Sequence, residues 1–342
     1  MKEKLDNRKK KILQAIIEEY VDTAEPVSSG NLVKELDCSS ATIRNDMAEL
    51  EKLGLIEKTH TSSGRIPSQK GYRYYVDELV RDDRLTKKEM EIIRDRLETE
   101  VNSLEELTKI ATNTLSEMTH YTAITISPDL ENHNIIDIKF ILLGTRVLMA
   151  VIMTDSGIIR ESVIKFDDDL TQKQVDDLTT LFKSKLVGKP LEIISGPLEE
   201  YIMDEIKTGI DIIKKIIEEI NKIIINSKQV YLDGANKVTE TPEFKKTDIA
   251  KDFLNVLDEK EDIVANILNT GEADDINIYI GSESDKEELK NFSIVTFNHI
   301  VEGKDIGTIG IIGPTRMDYS KVISVMKYIS KKLNDEHKKG KI

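Results

Sequence analysis

Apolar positions along the first eighty residues fall into short helical periods separated by clear breaks. Ile12, Leu13, Ile16, Ile17 and Tyr20 recur at the helical period with charges between them, which predicts a helix over 8–20. Pro26 cannot continue it and pushes the preceding residue out of helical space. A short second helix follows, with Ser28 or Ser29 as its cap and Leu32, Val33 and Leu36 as its apolar stripe. Asp37-Cys38-Ser39 has the length of a tight turn. A third helix begins at Ser39 or Ser40, buries Ile43, Met47 and Leu50, and ends at Gly54. Leu55–His60 then alternates like a strand, Thr61-Ser62-Ser63-Gly64 turns, and Arg65-Ile66-Pro67 starts the return. Ser68 caps a fourth helix whose Tyr72, Tyr75, Val76 and Leu79 share a face, where the tyrosines read as core packing.

This order predicts a winged helix-turn-helix over residues 1–81. The outward face of the third helix carries Ser40, Ala41, Thr42, Arg44, Asn45 and Ala48. A helix that only covers a core usually shows long Lys and Glu side chains outward. Small residues let a backbone enter a major groove, Asn bonds adenine bidentately, Arg bonds guanine, and Ala or Thr methyls touch the thymine methyl. An ordinary solvated face is the alternative. At the hairpin, His60, Thr61, Ser62, Ser63, Gly64 and Arg65 offer amides, hydroxyls and a guanidinium suited to sugar-phosphate backbone or a minor groove.

The formal net charge of −14 on 342 residues argues against nucleic acid until its distribution is read. Residues 1–81 hold 14 basic and 14 acidic side chains, so the remainder carries the whole imbalance. Lys58 to Val76 contains Lys58, Arg65, Lys70 and Arg73 and no acidic residue, a stretch that suits phosphates or, equally, solvent. The start of the chain shows no apolar signal stretch, no run is long enough to span a membrane, and Cys38 is the only cysteine. These features predict a cytoplasmic protein.

The stretch SSATIRNDMAELEKLGLIEK, followed by HTSSGRIPSQKGYRYYVDEL, resembles the bacterial heat-inducible transcription repressor family HrcA nearly continuously over 39–79. PVSSGNLVKEL at 26–36 fits as well, and Ser40 stands where that family often has Pro. The resemblance implies a repressor of chaperone genes that binds an inverted-repeat operator in double-stranded DNA as a homodimer. It also implies that the chaperonin GroEL keeps the repressor competent. It further implies an α+β multidomain fold: a winged helix, a GAF-like α/β domain and an inserted, mostly helical dimerisation domain.

The remaining pattern is divided accordingly. Residues 82–100 read as a charged linker helix, 101–166 and 275–342 as the GAF-like domain, and 167–274 as the insert. Leu104 to Met118 is an amphipathic helix. Strands are expected at Thr122–Ser127, Asp137–Leu143, Arg146–Thr154 and Ile158–Phe166, then Gln229–Asp233, Ile276–Ile280, Phe292–Val301 and Ile306–Ile312. The strands before Phe166 and the last three, ending in a GAF-like Gly307-Thr308-Ile309-Gly310, are expected to share one sheet. Helices are expected at 171–187, 198–226, Asp248–Leu268 and Asp318–Leu333. The second of these carries a wide isoleucine face that includes Ile213, Ile216, Ile217 and Ile220. Such a face is buried on more than one side. A subunit interface is the preferred explanation, given a dimeric family, and an intrachain core is the alternative.

Other chemistry finds little support. Asp155-Ser156-Gly157 matches a short aspartic-protease pattern, but only one copy occurs and it sits where a hairpin turn is expected. Gly307, Gly310 and Gly313 form neither a dinucleotide fingerprint nor a P-loop. The five histidines show no metal-ligand spacing, and Cys38 has no nearby His. No enzyme, metal or cofactor is expected. A regulator sensing a small metabolite in the GAF-like domain is the alternative function.

Overall fold

The computed structural model describes residues 5–59, 64–80, 85–99, 101, 104–128, 130, 133–191, 210–225, 230–238, 241–245, 247–258, 276–283, 287–301 and 304–338. The first module contains α1 (Asn7–Thr23), α2 (Val33–Leu36), α3 (Ser40–Lys52), β1 (Ile56–Lys58), β2 (Arg65–Pro67) and α4 (Gln69–Glu78). Asp6 caps α1 by accepting from the Arg8 and Lys9 amides, and Ala24 ends it in the left-handed region. Ser39 caps α3 by accepting from the Thr42 amide, and Gly54 follows its end at φ +71°. Ser68 caps α4. Ile12, Leu13, Ile16, Ile17, Leu32, Ile43 and Leu50 are all essentially inaccessible and form the module's core. Each such side chain, fully buried, stabilises by roughly 1.5–3 kcal/mol.

The second helix is shorter than expected. It begins only at Val33, after a turn in which the Ser28 hydroxyl bonds Asn31 rather than capping a helix. The segment after α1 also pairs: Val27 and Arg65 exchange two backbone hydrogen bonds of 2.8 Å, which ties the loop to the start of β2, at the turn end of the hairpin.

α5 (Lys87–Leu97) opens with a capping box of Thr86 and Glu89. It was expected to be a spacer, yet its Ile93 and Leu97 are buried in the core shared with α6 (Leu104–Thr119) and the last helix. The strands then divide into two antiparallel sheets rather than the single sheet expected. β3 (Thr122–Ile126), β7 (Val230–Asp233), β8 (Ile276–Ile280), β9 (Phe292–Val301) and β10 (Lys304–Pro314) form one sheet in the order β7-β3-β10-β9-β8. β4 (Ile135–Gly144), β5 (Val147–Thr154) and β6 (Ile159–Lys165) form a separate three-stranded meander.

Every residue of β3 is buried, because its sheet is covered on both faces. Ala123 faces α5, α6 and α11 (Tyr319–Lys338). Ile124 and Ile126 face α10 (Thr247–Asp258) and an aromatic cluster of Phe244, Phe253 and Phe292. The short α9 (Ala235–Val238) follows β7. The meander packs its inner face on α7 (Gln172–Leu186) and α8 (Ile210–Ile225). Residues 198–209 and 259–268, where parts of two helices were expected, lie outside the described residues.

Candidate nucleic-acid interface

The geometry of α3 follows from one buried carboxylate. Asp46 is on the core side of the helix, 4% exposed, and accepts two hydrogen bonds from Arg8 of α1, at 2.6 Å from Nε and 3.0 Å from Nη2. The pair raises the Arg8 pKa, through the hydrogen bond first and charge second. Lys9 adds a bond to Glu49 at 2.6 Å. The periodicity missed Asp46 because an acidic residue breaks the apolar stripe; Arg8, one helix away, is what makes its burial possible.

With α3 fixed on that side, Ala41, Arg44, Asn45 and Ala48 are exposed on the other. Thr42 is half-buried and its hydroxyl lies 2.9 Å from that of Ser39. Ser40 bonds Ser29 of the preceding turn at 3.0 Å. Among the described residues, neither Arg44 nor Asn45 has a side-chain hydrogen bond or ion pair. Arg8, Lys9, Arg65 and Lys70 of the same module are engaged within the chain, whereas this guanidinium and this amide are free to meet an outside partner.

The wing is organised differently from the expectation. His60, Thr61, Ser62 and Ser63 lie outside the described residues. Gly64, at the turn end of β2, is buried rather than displayed, and a Cβ there would sit 2.7 Å from Pro26. Arg65 is mostly covered, with Nε and Nη2 each 2.8 Å from a Glu51 oxygen, so it fastens the wing to α3. Lys58 is exposed. Lys70 donates to the Leu53 carbonyl at 2.8 Å, at the end of α3.

Arg73 departs furthest from the expected role. Its guanidinium bonds Glu283, Asp77 and the Ile278 carbonyl, and the Glu283 hydrogen bond raises its pKa before burial opposes it. Arg73 therefore joins the winged helix to the edge of the five-stranded sheet. Gln69 does the same through Lys290 and Ser282, and Arg316 reaches back to the Val21 carbonyl. The Tyr72 and Tyr319 rings meet at 5.7 Å, tilted by 51°, across the same seam, as core packing.

Comparison with known proteins settles the family. A family model described as the HrcA protein C-terminal domain matches residues 105–323, and a DeoR-like helix-turn-helix model matches 14–69. The heat-inducible transcription repressor HrcA of Ruminiclostridium cellulolyticum is 41% identical over 340 residues, covering 97% of each chain. The chain belongs to the HrcA family. HrcA of Acetivibrio thermocellus is 36% identical and HrcA of Bacillus pumilus 34%, each over nearly the full length. A solved structure titled only as a hypothetical protein shares the fold, at TM-score 0.65 and 24% identity over 97% of this chain. As an HrcA-family chain this is a DNA-binding heat-inducible transcription repressor, a role in regulation and not in catalysis.

Two other expectations resolve within the same HrcA-family chain. Asp155 sits in the β5–β6 turn, which Gly157 closes by donating to the Thr154 carbonyl at 3.0 Å, and it accepts from the Asn134 amide and from its Nδ2, at 3.2 and 2.8 Å, tying the turn to the start of β4. Ile213, Ile216, Ile217 and Ile220, expected at a subunit interface, are each at most 2% exposed within a single chain. They pack against the meander with Phe140, Ile164 and Phe182. The intrachain core wins because the sheet needs an apolar cover for its inner face. Among the described residues, no helix is long and apolar enough to cross a membrane and no cluster of three His, Cys, Asp or Glu side chains suits a metal ion.

Proposed function

We propose that this repressor acts in the cytoplasm as a homodimer, placing α3 of each protomer in the major groove of an inverted-repeat operator that controls chaperone genes. The observation that carries the reading is the exposed, unpartnered pair Arg44 and Asn45 on a helix otherwise fixed by buried contacts. Ala41, Thr42 and Ala48 supply close apolar approach beside them, with Ser40 at the helix start. Lys58, His60, Thr61, Ser62, Ser63 and Lys70 supply backbone contacts, while Gly64 and Arg65 shape the wing. Asn45→Ala and Arg44→Ala are each expected to weaken operator binding by about 1–3 kcal/mol and to relax sequence preference. A footprint upstream of the organism's own chaperone operons, with wild type and variants, is the test. Unchanged affinity and preference in both variants would remove α3 from the role.

The dimer contact assigned to this chain is the outer face of the meander. We infer that β4–β6 with α7 and α8 form the inserted dimerising part, and that the five-stranded sheet with its helices is the GAF-like part. On the outer face Ile159 and Val163 are about half exposed, beside Ile141, Val147, Met149 and Val151. Antiparallel sheets with a solvated face normally alternate apolar with polar residues. Glu161 and Lys139 flank Val151 in one row of the ladder. A two-fold axis along β5 lays that row on its own copy, so that Glu161 meets Lys139 of the partner subunit. Val163→Asp is expected to give a folded monomer by sedimentation, with operator affinity lost. The same apolar face supports dependence on GroEL, since a chain separated from its partner exposes it. Operator binding is expected to return after a heat pulse only when the chaperonin is supplied.

A further inference from the structure

A cavity of about 540 Å³ lies where the five-stranded sheet meets the β5–β6 hairpin. Its walls include Leu104 and Thr108 of α6, Thr125 of β3, Tyr231 of β7, Ile306 of β10 and Arg160 of β6. Arg160 occupies a position that the strand's alternation turns inward. It stands opposite Ile152 in the ladder, two residues before Ser162 and four before the buried Ile164. Its side chain is only 13% exposed. Among the described residues, Nε has no hydrogen-bond partner and Nη1 donates only to the adjacent Ile159 carbonyl, at 3.1 Å. The nearest carboxylate, Glu105, stands 4.0 Å from Nη1 and already accepts from Lys109 at 2.9 Å. Burial consequently pulls the Arg160 pKa down, with Glu105 only partly opposing. A buried cation so poorly satisfied is costly unless another group completes it.

We propose that this cavity binds a small organic carboxylate, with its two oxygens on the Arg160 fork and its apolar body against Leu104, Ile306 and the Tyr231 ring. The planar guanidinium matches a carboxylate in a bidentate manner. The Tyr231 hydroxyl already donates to Asn113 at 2.8 Å, which leaves the ring as the surface offered. Glu105 beside the fork repels a second negative charge, which favours a monoanion over a dianion such as hydrogen phosphate. The bound molecule would touch the five-stranded sheet, α6 and the meander together, so it would bias how the dimerising part sits on the body.

The test is calorimetric titration and thermal shift of the full-length repressor with benzoate and hexanoate, against benzyl alcohol and inorganic phosphate. Both carboxylates are expected to bind and to raise Tm in a concentration-dependent way. Arg160→Gln should weaken them by about tenfold or more, through loss of the charge-assisted fork. Glu105→Gln, at a half-exposed position that leaves folding intact, should tighten them by a few fold. If Arg160→Gln fails to fold, Glu105→Gln decides the matter alone. The proposal is overturned if neither carboxylate binds wild type, if both variants bind like wild type, or if benzyl alcohol or phosphate binds as well as benzoate.

Discussion

Asp46 and Arg44 sit two residues apart on one helix and do opposite jobs. Asp46 faces inward and is held by Arg8; Arg44 faces outward and has no side-chain partner among the described residues. Asp46→Ala is therefore expected to cost about 1–3 kcal/mol in urea unfolding, because it strips a buried acceptor from a paired guanidinium. Arg44→Ala should leave the unfolding midpoint unchanged and act on operator affinity alone. Gly71 gives a second contrast: a Cβ there would overlap the Leu55 carbonyl oxygen, whereas one at Gly30 meets only the Ser28 hydroxyl at ordinary contact. Gly71→Ala should destabilise by about 1–3 kcal/mol, and Gly30→Ala by much less. The exposed face of α3 was legible in the sequence because helical period alone separates Ile43, Met47 and Leu50 from Ala41, Asn45 and Ala48. Arg65, Arg73 and Gly64 were not, since positive charge and small size suit both a DNA surface and an internal contact. Only the positions of Glu51, Glu283 and Pro26 in space choose between them.

At the scale of elements, the helices were easy to find and the sheet assignment was not. Caps such as Ser39, Ser68, Thr86 and Thr171 mark helix starts through contacts three residues away. Strand partners lie over a hundred residues apart, as between β3 and β7, and local pattern carries no record of which edge joins which. The isoleucine face of α8 shows the same limit, because a wide apolar stripe is the same whether a sheet or a second copy covers it. Two elements make testable claims. Glu51 holds Arg65 against α3, so Glu51→Gln and Arg65→Ala should both weaken binding to all DNA if the wing's placement is what matters. Unchanged or tighter binding would mean that Arg65 meets phosphate directly. The start of α5 makes a pH claim. Lys321 first, with the Thr86 amide and hydroxyl, holds the Glu89 carboxyl down to about 2, against 4.5 ordinarily. A depressed carboxyl stabilises the fold above its unfolded value and loses that contribution as pH falls through the folded one. The stability gap between wild type and Glu89→Gln should be full at neutral pH, shrink below 4.5 and vanish near 2.

Taken whole, the molecule docks its DNA reader against its body instead of hanging it on a tether. Tyr72 on Tyr319, Arg73 on Glu283, Gln69 on Ser282 and Arg316 on Val21 form one seam. A reader on a slack tether could straddle operators of many lengths. In the proposed dimer the distance between the two α3 helices is set by that frame, so the protein would serve as a ruler as well as a reader. Inserting about 5 bp, half a helical turn, between the half-sites should abolish binding, while a full turn would not restore it. Glu283→Gln together with Gln69→Ala, by loosening the seam, should relax that strictness. On that proposal the spacer between the half-sites, whose bases need not be touched at all, becomes a sequence element written by the body of the repressor.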